Sequence, residues 1–275
     1  MDFMQPIVPF EVRHFHSNLE RRIMSEILLV VWLAAVGACV GSFLNVVIYR
    51  VPRGKSIVSP PSHCPNCNHR IRLYDNLPIF GWFLLGGKCR DCKLPIRFRY
   101  PMIETFACAM VATFAALIMP LGSALELLLA KIAWLSVLHL FLLTLGMIDF
   151  DRQTLKPRLL TLFLVPLLIC GAIFSPVVTS GGAIVSLIIG FLLTKIIRVN
   201  DRTLWIFATL AVGGFLGWQA AIVILSATLP CHAAIVFITR RSYAVLSLAL
   251  VSFAVTVGIL CHPEFGNFFA PLFQK

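Results

Sequence analysis

The sequence has 275 residues, of which 59% are hydrophobic and only 13% are charged, and its mean hydropathy is +0.90. This charged fraction is about half that of a soluble globular domain, so the composition indicates an integral membrane protein. The net charge of +11 does not indicate a nucleic-acid-binding protein, because the basic residues flank apolar segments instead of covering a soluble domain. They are typical of basic loops that lie beside anionic lipid on the cytoplasmic side of a membrane.

Residues 1–25 form a polar segment that precedes the first apolar stretch. The segment carries Arg13, Arg21 and Arg22, and the apolar stretch after it is longer than the hydrophobic region of a cleavable signal peptide. The sequence therefore predicts a short, poorly ordered N-terminal arm and no signal peptide.

Eight apolar segments follow, each long enough or nearly long enough to cross the roughly 30 Å of hydrocarbon as a helix. They are 27–49, 101–120, 124–148, 158–177, 182–198, 203–217, 219–239 and 242–261. The division between the sixth and seventh rests on Gly217-Trp218, and one helix over 203–227 is the alternative. We therefore expect an all-α integral membrane protein of about eight transmembrane helices.

This order of elements predicts four parts of the chain. The arm covers 1–25, and the first transmembrane helix with its following loop covers 26–100. A multi-helix membrane domain covers 101–262, and a C-terminal tail covers 263–275.

The loop between the first two spans contains ten basic and two acidic residues between Arg50 and Tyr100. The positive-inside rule places such a loop in the cytoplasm. With eight spans, the other basic residues cluster on the same side at 149–157, 199–202 and 240–241, and the turns predicted on the opposite side carry no charge. Both termini then lie outside, which the three arginines of the arm do not favour.

Two CxxC pairs lie in this loop, Cys64 with Cys67 and Cys89 with Cys92, separated by 21 residues. This spacing is typical of a four-thiolate zinc site. Two disulfides are the alternative, but they require an oxidising compartment, whereas the charges place the loop in the cytoplasm. We predict a structural zinc ion, because four thiolates leave no open coordination position. Such an ion would fold a loop that has little apolar content.

Polar residues at the membrane boundary are costly and are therefore candidates for function. Asn45 and Glu104 lie at the predicted cytoplasmic ends of the first two spans. Asn45 alternatively bonds across helices, and Glu104 alternatively stabilises the N-terminus of its helix.

Three acids lie on the same predicted side, Asp149 and Asp151 in MIDFDRQ and Asp201 in VNDRT. Two close carboxylates share a proton and can then act as the acid and the base of an aspartic protease. Interfacial ion pairs with the neighbouring arginines are the alternative.

Four stretches together resemble the type IV prepilin peptidases, also called prepilin leader peptidase/N-methyltransferases, of peptidase family A24. In order they are GSFLNVVIYRVP, SHCPNCNHRIRLYDNLPIFGW, GGKCRDCKLPIRFRYPMIE and IDFD, within Gly37–Asp151. The resemblance implies a bacterial inner-membrane aspartic endopeptidase that cleaves the leader of type IV prepilins or type II secretion pseudopilins at the cytoplasmic face. It also implies methylation of the new N-terminus with S-adenosylmethionine, in which the part over 26–100 takes part.

The same resemblance implies that Asp149, the first acid of IDFD, is catalytic. The family's second catalytic aspartate lies in a GxGD motif, which this sequence lacks, and Asp201 is the nearest acid that replaces it. The candidates for the S-adenosylmethionine site are Asn45, Asp75, Asn76 and Glu104.

Three functions stay open at this point. The chain is a peptidase with Asp149 and Asp201 as its catalytic pair, or a relative that has lost proteolysis and keeps methylation or substrate binding. The third is a non-enzymatic scaffold of the pilus or type II secretion machinery. The expected partners are a prepilin or pseudopilin and the lipid bilayer, and no nucleic acid.

Overall fold

The computed structural model of the chain describes residues 10–121, 124–156, 176–197 and 199–261, with the short pieces 164–165 and 169. The regular secondary structure of these residues is helical, without a strand, which confirms the predicted all-α fold class. The helices are α1 (Phe10–Arg50), α2 (Phe80–Leu84), α3 (Arg99–Ile118), α4 (Leu125–Phe150), α5 (Pro176–Leu193), α6 (Arg202–Thr239) and α7 (Ala244–Cys261). Short 3-10 helices occupy Leu73–Asn76 and Met119–Leu121.

Five helices of the described residues are long and apolar enough to cross a membrane. They are residues 18–50 of α1 and the whole of α3, α4, α6 and α7. Helix α5 has a shorter apolar part, Thr179–Leu193. The predicted span over 158–177 lies almost entirely outside the described residues, as does the tail over 263–275, so the total of eight spans stays a prediction.

Helix α1 begins at Phe10 and therefore includes most of the segment that was expected to be a poorly ordered arm. Long polar side chains in this segment have high helix propensity. Arg22 and Glu26 also form an ion pair one turn apart, with 3.1 Å between Nε and Oε1, and such pairs add a few tenths of a kcal/mol to helix stability. The chain is therefore helical from Phe10 onward, where the sequence predicted a poorly ordered arm.

Helices α1 and α3 approach each other closely at Gly37 and Gly41. A Cβ atom added to Gly41 would lie 2.8 Å from the Cα of Glu104, and one added to Gly37 would lie 2.9 Å from the carbonyl oxygen of Ala107. Glycines four residues apart let two membrane helices come into backbone contact. This contact fixes Glu104 against α1.

Helix α6 reverses direction at Gly217. A straight helix of its 38 residues would be about 57 Å long. Yet Asn200, just before α6, donates from Nδ2 to the carbonyl oxygen of Ser242, just after α6, at 2.8 Å. The two ends therefore lie at one face of the protein. Gly217 has φ +83° and ψ 171°, a conformation that glycine adopts at little cost, so the predicted division at this residue is confirmed.

The end of the helices at which these segments meet is called the loop face, and it holds Arg50, Arg99, Asp149, Asn200 and Ser242. The core behind it forms between α4, α6 and α7. There Trp134 stacks on Phe215 with 4.3 Å between ring centroids. A buried His139 lies 3.3 Å from the hydroxyl of Ser252. Close packing of this kind has low compressibility, so it supports α4 on the side away from the loop face.

Candidate active site and metal centre

Two turns of the same backbone form present the four cysteines of the loop. In the first turn the backbone N–H of Asn68 donates to the carbonyl of Cys64 at 2.9 Å, and in the second that of Lys93 donates to Cys89 at 3.0 Å. Asn68 and Lys93 both have positive φ, 59° and 60°. Each turn is therefore closed directly after its second cysteine, which directs both of its sulfurs to one side.

The sulfur atoms of Cys64, Cys67, Cys89 and Cys92 all lie within 4.8 Å of one another. Those of Cys64 and Cys92 are 3.8 Å apart, and a tetrahedral zinc ion with Zn–S bonds of about 2.3 Å places its sulfurs about 3.8 Å apart. All four cysteines are free, so the alternative of two disulfides does not hold. The four residues fit a closed four-thiolate metal site.

Backbone donors of the first cysteine turn favour the thiolate form of Cys64. The backbone N–H groups of Cys67 and Asn66 donate toward the sulfur of Cys64 and lower the pKa of this thiol to about 7. A thiolate is the metal-binding form of cysteine. This preference holds for Cys64 and not for Cys67, because burial and the neighbouring cysteines raise the pKa of the Cys67 thiol to about 12.

Asp75, predicted near the cofactor, holds the second cysteine turn in place. Arg90, which lies between the cysteines of that turn, donates to Asp75 Oδ2 from Nε at 2.8 Å and to Oδ1 from Nη2 at 2.5 Å. This hydrogen-bonded guanidinium lowers the pKa of the Asp75 carboxyl. Asn76, the next residue, is exposed.

Glu104 and Asn45 lie where the loop meets α1 and α3. Both side chains are buried. Glu104 Oε2 accepts a hydrogen bond from the backbone N–H of Ile79 at 2.6 Å. Asn45 donates from Nδ2 to the carbonyl oxygen of Tyr100 at 3.2 Å. The structure therefore uses both residues to join the loop to the first two spans.

Asp149 is only 1% exposed at the end of α4. Its Oδ1 accepts a hydrogen bond from Asn200 Nδ2 at 3.2 Å, and its Oδ2 accepts one from the backbone N–H of Val245 at 3.3 Å. Val245 lies in the first turn of α7, where backbone N–H groups have no partner within the helix. A buried carboxylate is costly unless such donors solvate it, so three separate segments combine to hold this acid.

Asp201 caps the N-terminus of α6. Its Oδ1 accepts hydrogen bonds from the backbone N–H groups of Thr203 at 2.8 Å and Leu204 at 3.3 Å, the usual geometry of an N-cap. The residue follows Asn200 directly, and its carboxyl group lies close enough to interact electrostatically with that of Asp149. The structure thus places both predicted acids at the loop face.

Asp151 differs from Asp149 in its partner. Arg99 donates from Nη1 to both of its oxygens, at 2.6 and 2.5 Å. This ion pair joins the end of α4 to the start of α3. The alternative of a plain interfacial ion pair therefore describes Asp151, whereas Asp149 accepts its hydrogen bonds from neutral groups.

The sequence analysis did not predict the two hydrogen-bond donors of Asp149, Asn200 and Val245. Asn200 had a usable signal, since it is a polar residue directly before a candidate acid in VND. Val245 contributes only its backbone N–H, which no side-chain pattern reveals.

Comparison with known proteins gives consistent matches. The family model described as Bacterial Peptidase A24 N-terminal domain matches residues 35–118. A prepilin leader peptidase/N-methyltransferase of Myxococcus xanthus is 42% identical over 128 residues, which are 46% of this chain and 36% of that protein.

Two further relatives extend this picture. The type 4 prepilin-like proteins leader peptide-processing enzyme of Escherichia coli is 38% identical over 143 residues, 45% of this chain and 50% of that protein. A prepilin leader peptidase/N-methyltransferase of Aeromonas hydrophila is 31% identical over 228 residues, 68% of this chain and 72% of that protein. The chain thus spans half or less of the first two relatives and nearly three quarters of the third. No solved structure matches.

Proposed function

We propose a function for this chain on the basis that it belongs to the prepilin leader peptidase/N-methyltransferase family. In this proposal it is a membrane aspartic endopeptidase that cleaves the leader of a type IV prepilin or pseudopilin. The names of its relatives describe leader peptidases. The observation that carries the proposal is the buried carboxylate of Asp149, which neutral donors hold at the loop face. Buried acids of this kind are typical of catalytic sites.

In this proposal Asp149 and Asp201 form the catalytic pair. One carboxylate is ionised and takes a proton from a water molecule, whose oxygen then attacks the carbonyl carbon of the scissile peptide bond. The other carboxyl group is protonated and donates its proton to the substrate. Both capping bonds of Asp201 use Oδ1, so we assign Oδ2 to this reaction.

We assign the loop face to the cytoplasmic side of a bacterial inner membrane. The ten basic residues between Arg50 and Tyr100 support this orientation. The Arg99–Asp151 ion pair joins this loop to the end of α4, so the proposed catalytic acids lie on the same side. On that side, Asp149 and Asp201 would attract a leader rich in lysine and arginine.

The part over 26–100 is proposed to hold a structural zinc ion and to methylate the new N-terminus, while the part over 101–262 cleaves. The residues that would hold the ion are Cys64, Cys67, Cys89 and Cys92, and the ion would supply a cross-link that keeps the loop folded. We place S-adenosylmethionine at the junction of Asn45 and Glu104, with Asp75 and Asn76 on its loop side.

A protease-inactive relative that only methylates is the second candidate. The capping role of Asp201 favours it, since this role alone explains an acid at that position.

Three variants of the purified full-length chain separate the candidates. We expect Asp149→Asn and Asp201→Asn each to abolish cleavage of a type IV prepilin, whereas Asp151→Asn, the matched acid in an ion pair, retains most of it. Cleavage by Asp201→Asn at the wild-type rate would exclude the proposed pair. A methyl group added to an uncut or precut substrate, without cleavage by the wild type, would support the second candidate.

A further inference from the structure

The loop carries an apolar surface that the proposed reaction does not use. Phe80, Phe83 and Leu84 of α2 are 68%, 60% and 74% exposed, and Phe98 is 60% exposed. These four residues are called the α2 patch. A cluster of large apolar side chains left open in this way marks a surface that meets a partner or a membrane.

Trp82 joins two members of the α2 patch, Phe83 and Phe98. Its ring lies edge-on to Phe83, with 5.2 Å between centroids, and to Phe98, with 5.4 Å. Its Nε1 donates to the carbonyl oxygen of Ile96 at 3.0 Å. The patch is therefore fixed to the segment that leads into α3, and it cannot turn away from the membrane independently of that helix.

The depth of the α2 patch follows from the hydrogen bond between Ile79 and Glu104. Glu104 lies five residues after the start of α3, so it is about 7.5 Å along the helix axis from Arg99. The backbone N–H of Ile79 lies 2.6 Å from its carboxylate, and α2 starts at the next residue. Helix α2 therefore lies beside the first turns of a membrane span.

The net charge of the loop that carries the α2 patch matches an anionic lipid surface. The loop has ten basic and two acidic residues, and both acids already face arginines, Asp75 with Arg90 and Asp91 with Arg72. Basic residues beside exposed aromatic and aliphatic side chains are typical of segments that lie in the membrane interface. The same positive charge disfavours a basic peptide leader as the occupant.

We propose that the α2 patch lies at the boundary between the headgroups and acyl chains of the surrounding bilayer and binds anionic phospholipid there. The loop then rests on the membrane surface through three attachments. These are the Ile79–Glu104 hydrogen bond, the Arg99–Asp151 ion pair and the lipid contact of the patch. The lipid contact covers apolar surface that water would otherwise meet.

Photo-cross-linking from single positions tests this inference. The chain is placed in nanodiscs of phosphatidylglycerol and phosphatidylethanolamine. It carries p-benzoylphenylalanine in place of Phe83. If that variant loses its metal, p-benzoylphenylalanine replaces Leu84 instead. The control carries it in place of Asn66, an exposed polar residue of the first cysteine turn. After irradiation, intact mass measures phospholipid adducts, and the metal content of each protein verifies the fold.

We expect p-benzoylphenylalanine at position 83 or 84 to form several-fold more lipid adduct than at position 66. The adduct from position 83 or 84 should decrease when the discs contain only phosphatidylcholine. Equal adducts from the patch and from Asn66 would overturn the lipid contact. Equal adducts in both kinds of disc would overturn the preference for anionic lipid. A further sample contains added prepilin. A cross-link from position 83 to the prepilin in place of lipid would overturn the proposal and show that the occupant is a polypeptide.

Discussion

Asn200 donates a hydrogen bond from Nδ2 to Oδ1 of Asp149 at 3.2 Å, and the same nitrogen donates to the carbonyl oxygen of Ser242 at 2.8 Å. One amide thus joins the end of α4, the segment before α6 and the turn before α7. Asp201 follows Asn200 directly, so this side chain links the two segments that carry the proposed catalytic acids.

Replacing Asn200 by leucine keeps its approximate size and removes this donor. A hydrogen bond to a charged group is worth about 1.5–3 kcal/mol, so we expect kcat for prepilin cleavage to fall roughly 10- to 100-fold. KM should change little, because Asn200 is a positioning residue.

The control for this variant is Gln153→Ala. Gln153 also lies at the loop face, and its amide accepts an exposed hydrogen bond from Arg53 at 3.1 Å. Its loss should leave kcat nearly unchanged. An Asn200→Leu protein with the kcat of the wild type would contradict the role of the amide.

Replacing Cys64 by serine should remove the metal from the loop. Three thiolates and a hydroxyl hold zinc far more weakly than four thiolates, and a loop of this kind depends on its metal to fold. We expect zinc per chain, measured by mass spectrometry of the element, to fall from about one to near zero. Cys39→Ser, which changes an exposed cysteine of α1, should keep the metal, and zinc retained by Cys64→Ser would argue against the site.

Lys93 occupies a left-handed position in the second cysteine turn, with φ +60°. A lysine in this conformation is strained, whereas asparagine tolerates it. We expect Lys93→Asn to stabilise the loop by about 0.5–1 kcal/mol, seen as slower loss of zinc to a chelator. The first turn supplies the reverse test, since Asn68→Lys should accelerate the loss. No change in either variant would show that the left-handed positions carry no strain.

Gly41 allows α1 to contact α3. In Gly41→Ala the new Cβ would lie 2.8 Å from the Cα of Glu104, so the helices must separate at a cost of about 1–3 kcal/mol. Thermal unfolding in detergent should show a lower midpoint. At Gly258 of α7 a Cβ meets open space among the described residues, so Gly258→Ala should be neutral or slightly stabilising. Equal midpoints for the two variants would refute close packing at Gly41.

The sequence predicted those features that local patterns encode. Apolar stretches marked the spans because the hydrocarbon thickness sets their length, and Gly217 marked the reversal of α6 because a tight turn favours glycine. The cysteine spacing predicted the cluster of four sulfurs, since each turn brings its own pair together.

The missing features depend on contacts between distant parts of the chain. The hydrogen bonds of Asp149 with Asn200 and Val245 form only when α4, α6 and α7 pack together. No local pattern near residue 149 predicts them. The tie between Ile79 and Glu104 uses a backbone N–H, which every residue except proline offers. The helical start of α1 differs from the prediction because polar residues occur both in disordered arms and on exposed helices.

Incubation of the purified chain with a type IV prepilin, beside its Asp149→Asn variant, tests whether the protein is a leader peptidase that uses Asp149. Mass spectrometry would read the N-terminus of the product. We expect the wild-type chain to release a shortened prepilin and the variant to release none. An uncut prepilin with the wild-type chain, in a reaction where a related leader peptidase cuts the same sample, would contradict this expectation.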